Sequence, residues 1–125
     1  MIRHPANFYS GWSLVLATFI IGAGIGLFFH RDDFWGGYGS FRRRIVRLGH
    51  IALAALGMMN VLFSVAVPCD QTVHRAASML MIVGGISMPI VCFLTGWRAS
   101  FRHLFFIPVI SLVAALTLIL IGGVP

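Results

Sequence analysis

Four long apolar runs leave this chain few folds. They cover about residues 12–30, 45–67, 75–97 and 103–124, and each is close to the ~20 residues with which an α-helix crosses a ~30 Å hydrocarbon layer. A helix pairs its backbone N–H and C=O groups internally, as a lipid environment requires. Only 10% of the 125 residues are charged and 59% are apolar, against about 25% charged in a soluble domain. That balance excludes an ordinary soluble domain, a disordered tail and a secreted disulfide scaffold. Short connections between the runs predict an all-α integral membrane protein. Its single domain, residues 1–125, would be an up-down-up-down bundle of four transmembrane helices, made of two hairpins. Arg3 and His4 ahead of the first run imitate the start of a secretion signal. The run is too long for one, however, and Gly22, Gly24 and Gly26 are not followed by a cleavage pattern and a soluble domain, so it is expected to stay as a span.

The net charge of +6 comes from nine arginines and three aspartates. Arg31, Arg42, Arg43, Arg44 and Arg47 border the first connection, and Arg98 and Arg102 the third, whereas the opposite side has only Arg3 and Arg75. Arginine marks the cytoplasmic side of a span, so connections one and three are expected inside a plasma (inner) membrane, with both termini outside. Because these arginines lie between apolar runs, the expected partner is anionic lipid and not nucleic acid. Arg42, Arg43, Arg44, Arg47, Arg98 and Arg102 are the expected lipid-phosphate contacts. Both inner connections end alike, in Ser40-Phe41-Arg42-Arg43 and Ser100-Phe101-Arg102-His103. Serine is a favoured N-cap, so each serine is expected to start a helix.

Polar residues inside the spans are few. Gly22, Gly26, Gly57, Asn60 and Gly85 sit on small-residue stripes that predict the packed face of each helix. No acidic or basic side chain falls at mid-bilayer, which argues against a pump, an ion-coupled transporter or a voltage sensor. His30, His50 and His103 lie near the inner border on different spans, and a pair of them would supply the axial nitrogens of a b-type haem. Met58, Met59, Met79 and Met81 carry thioethers of the kind that bind Cu(I), but they read first as fillers of apolar gaps. His74 with Asp70 reads as a polar helix cap. Cys69 and Cys92 lie too far apart along one span for a disulfide and are expected as free thiols. In the first inner loop, Phe34, Trp35 and Tyr38 would form either an aromatic docking surface for a partner or an interfacial turn, and Asp32 and Asp33 would pair with Arg42, Arg43 or Arg44.

No nucleophile–base arrangement or metalloprotease signature occurs, so no enzyme is expected. The small four-span form, with a histidine at the start of the second span, is similar to membrane haem-b proteins and to small accessory subunits of respiratory or photosynthetic complexes. The leading expectation is a non-catalytic accessory subunit or assembly factor of a larger membrane complex, in contact with other membrane subunits or with itself. One alternative is a haem-b electron carrier with a bis-histidine site at the inner face. The other is a small oligomeric lipid- or solute-handling protein with a pocket between spans one and three near Pro89.

Overall fold

The computed structural model describes residues 1–123, and among them it has four long helices and no strand. Helix α1 covers Pro5–Phe29, α2 Phe41–Ala66, α3 Thr72–Trp97 and α4 Phe106–Gly122. Short 3₁₀ segments precede α2 at Phe34–Gly36 and α4 at Ala99–Phe105. Val124, at the end of the expected fourth span, lies outside the described residues with Pro125. Counting the 3₁₀ stretch with α4, all four elements are long and apolar enough to cross a membrane. The chain is an all-α membrane protein.

Helix α1 starts well ahead of the apolar run at residue 12, because Pro5 occupies its first turn. Proline is suited to that position, where its missing N–H has no helical partner to lose. At α2 the hydroxyl of Ser40 accepts the backbone N–H of Arg43 at 3.2 Å, as expected of an N-cap. Ser100 differs. It lies inside the 3₁₀ segment and caps nothing, so the starts of α2 and α4 are not equivalent. Pro108 accounts for the difference: it cannot donate a helical hydrogen bond, and α-geometry begins only at Phe106, within its turn.

Each helix packs on the next in sequence, and α1 also reaches α3, but α1 and α4 form no seam. The bundle is therefore open, with α2 and α3 at its centre and α1 and α4 mostly outward-facing. Lipid tails are as apolar as leucine, so the helices gain little hydrophobic drive to associate and rely on close approach and polar ties. Close approach is built on glycine. A Cβ on Gly11 would stand 2.7 Å from the Gly57 carbonyl oxygen, and one on Gly57 would stand 2.9 Å from that of Gly11. On α3, Gly84 receives Leu112 of α4 while the adjacent Gly85 receives Asn60 of α2. Gly26 departs from the expected packing stripe, since a Cβ there would meet nothing within 4 Å. Beyond Gly22, α1 no longer presses on α2 through its backbone, and Ile21 and Ile25 line a crevice instead.

The polar tie joins three helices. Asn7 Nδ2 of α1 donates to Asn60 Oδ1 of α2 at 2.9 Å and to the Ser78 carbonyl of α3 at 3.2 Å. Ser78 Oγ returns a bond to Asn7 Oδ1. Asn60 Nδ2 donates to the carbonyls of Leu56, at 2.9 Å, and Met81, at 3.3 Å. Asn7 and Asn60 are fully buried, and each amide is occupied at both ends. Asn7→Ala would leave Asn60 Oδ1 without this donor and Ser78 Oγ without its acceptor. The expected loss is about 1–2 kcal/mol in a reversible unfolding titration in mixed micelles. Gly57→Leu in the same titration is expected to cost about 1–3 kcal/mol by forcing α1 off α2.

Candidate functional site

The end where α1, α2 and α3 meet the first loop, called inner after the orientation expected from its arginines, holds most of the residues singled out in the sequence. The loop turns through three successive left-handed residues, Trp35 (φ 53°), Gly36 (φ 83°) and Gly37 (φ 89°). Glycine takes this conformation freely, but for tryptophan it costs roughly 1–2 kcal/mol. Local contacts hold Trp35 there: its ring stacks on Phe34 at 4.6 Å, and its carbonyl accepts the Ser40 hydroxyl at 2.8 Å. Phe34 in turn stacks on Phe28 at 5.5 Å, so this ring is half-buried against the end of α1. Trp35 and Tyr38 remain exposed.

Arg43 does not reach lipid phosphate. It is 2% exposed, and its guanidinium donates to the carbonyls of Phe29 at 2.6 Å and Arg31 at 3.5 Å. The last carbonyls of a helix have no intrahelical donor and carry the negative end of its dipole, which draws the arginine inward. The rings of Phe29, 4.5 Å away, and Tyr38, 5.9 Å away, complete its surroundings. Arg47 lies over Tyr38 at 4.6 Å. The aspartates also differ from expectation: Asp33 pairs loosely with Arg31 at 3.6 Å, and neither Asp32 nor Asp33 forms an ion pair with Arg42, Arg43 or Arg44 among the described residues. Arg42, Arg44, Arg98 and Arg102 are exposed.

Three of the five histidines serve as ties to backbone. Nε2 of His50 lies 2.9 Å from the Thr18 carbonyl of α1. That of His4 lies 3.0 Å from the Pro68 carbonyl, and that of His74 lies 3.1 Å from the Gly123 carbonyl. A carbonyl only accepts, so each Nε2 carries the hydrogen. His74, expected as a surface cap, is 1% exposed and locks the start of α3 to the end of α4, with Nδ1 3.6 Å from Asp70. His30 and His103 are exposed, whereas His50 is half-buried against Gly22. No cluster of three or more His, Cys, Asp or Glu side chains able to hold a metal ion occurs among the described residues. Cys69 is an exposed free thiol and Cys92 a buried one.

Between α1, α2 and α3 at this end lies a half-open crevice of about 260 Å³, lined almost wholly by apolar surface. Ile21 and Ile25 form one wall and Phe93 the other, while Trp35, Arg42 and Trp97 stand around it. It is nearer the inner face than the pocket expected beside Pro89. No protein-family model, curated protein or solved structure matches the chain.

Asn7, Arg43's inward turn and Gly11 were not legible as site-forming in the sequence. Asn7 and Gly11 precede the apolar run, and Arg43 is one of three consecutive arginines. The one available signal was spacing: Ser40 as N-cap places Arg43 on the first turn of α2, facing the end of the preceding helix. Arg43→Met should free the α1 carbonyls, so amide exchange over residues 30–41 should accelerate, while Arg44→Gln should leave it unchanged. A Cβ at Gly22 would stand 2.6 Å from His50 Nε2. Gly22→Ala should therefore displace the imidazole from Thr18 and lower stability by about 1–3 kcal/mol in the same micellar titration.

Proposed function

We propose that this chain is a non-catalytic membrane subunit or assembly factor that acts by packing the inner half of α1 against a larger membrane-embedded protein. The observation that carries this reading is the state of α1. Its only buried residues are Asn7, Gly11 and Leu14, all in the outer half. The inner half presents two glycines to open space on sides of the helix about 200° apart: Gly24 among exposed Ile20, Leu27 and Phe28, and Gly26 beside exposed Phe19. Each glycine in a helix interior costs about 1 kcal/mol relative to alanine, and toward lipid alone it returns nothing. Against another helix, a missing Cβ allows backbone contact. With no α1–α4 seam among the described residues, both sides are accessible. A non-catalytic role agrees with the buried asparagines and histidines, which are engaged with one another or with backbone carbonyls.

The arginine distribution supports a plasma-membrane orientation with the first and third connections inside and the termini outside. Cys69, exposed at the outer end, should react with a membrane-impermeant maleimide added to intact cells, while buried Cys92 stays unlabelled until unfolding. Labelling of Cys69 only after lysis would reverse the orientation. A photo-crosslinking amino acid at Phe19 is expected to yield a discrete adduct heavier than two copies of the chain in native membranes, and one at Leu120 of α4 is not. Lipid-sized adducts alone at Phe19 would refute the proposed role. The visible spectrum of the mild-detergent extract checks the haem reading at the same time: a reduced b-type band on the purified chain would replace the proposal with an electron carrier.

A further inference from the structure

We infer that the inner crevice is a binding site for one anionic phospholipid, with an acyl chain between α1 and α3 and the phosphodiester on Arg42. Size supports a chain and not a bulky group, since about 260 Å³ lies just below the roughly 300–1,000 Å³ of typical drug-sized ligand pockets. Composition supports an acyl chain as well, the walls being Ile21, Ile25, Val46 and Phe93. Depth supports a lipid: Arg42 lies on the first turn of α2, Trp97 ends α3 and Trp35 belongs to the inner loop. Indole and guanidinium groups at the end of a span mark headgroup level, and a guanidinium binds phosphate in bidentate fashion.

Charge decides between lipid classes. Seven arginines gather at this end, and Arg43 is used internally. Asp32 and Asp33 are the only acids there, and Asp33 is engaged with Arg31. Arg42 has no hydrogen bond or ion pair from its side chain among the described residues, although it borders the crevice. A cation so placed, with no counter-ion of its own, favours a lipid of net negative charge over a zwitterionic one. The site does not depend on the packing role of α1, because Gly24 and Gly26 do not line the crevice.

The full chain with Trp12→Phe, reconstituted in phosphatidylcholine vesicles, tests this through the fluorescence of its two remaining tryptophans. Both line the crevice. Phosphatidylglycerol with brominated acyl chains, added as a minor component, should quench them with about fivefold higher apparent affinity than brominated phosphatidylcholine. Arg42→Gln should abolish that preference and Arg44→Gln should keep it. Ile25→Phe, which fills the crevice, should weaken quenching by both lipids. Equal quenching by the two lipids, or loss of the preference equally in Arg44→Gln, would overturn the inference and leave only a diffuse surface charge. Tryptophans shielded from both lipids would overturn it in favour of a second copy of the chain in the crevice. Because the assay holds no partner protein, its result is independent of the crosslinking at Phe19.

Discussion

In hydrocarbon, a polar side chain without a partner is a continuing cost, and a polar side chain with one fixes geometry. The rest of this structure depends on that constraint through Asn7, Asn60 and Ser78, which meet where α1, α2 and α3 converge. Leucine-like surfaces cannot specify a register against lipid of the same character. Two carboxamides and a hydroxyl can, because their bonds close at only one rotation and height of each helix. Glycines at 11, 57 and 85 let the backbones come near enough for those bonds to form. The same economy extends to the outer end, where His4 and His74 bind the carbonyls of Pro68 and Gly123.

The inner end solves a different difficulty. A helix that stops near a membrane border leaves carbonyls pointing along its axis. Here α1 does not rely on water or a glycine cap for all of them. It borrows Arg43 from the next helix, and the loop between is shaped around that contact by Phe34, Trp35 and Tyr38. Loop aromatics that look like a docking patch in the sequence thus divide their work: Phe34 is packed inward, while the exposed indole of Trp35 stands at the crevice.

Spans, helical class and alternation of direction were legible because they follow from runs of apolar residues alone. Asn60 was legible as a packing residue because an amide at mid-span has few other uses. Its partner was not, because Asn7 lies among polar residues and only the placement of Pro5 shows that the helix already exists there. Arg43 was misread for the opposite reason: its neighbours Arg42 and Arg44 do face outward, and composition cannot tell which of three identical residues turns in. The apparent repeat at Ser40 and Ser100 failed because a proline further along, Pro108, sets the geometry of the second copy.

The three-helix carboxamide tie also bears on the order in which the molecule is made. Asn7 enters the membrane with the first helix, yet both of its partners belong to helices synthesised later, 53 and 71 residues downstream. The α1–α2 seam, with Gly11 against Gly57, needs no later helix, but until α3 arrives Asn7 lacks both of its bonds to Ser78. Insertion of α1 and completion of its polar tie are therefore separable. Completion of the tie waits on the third helix, which links the packing of the first hairpin to the arrival of the second.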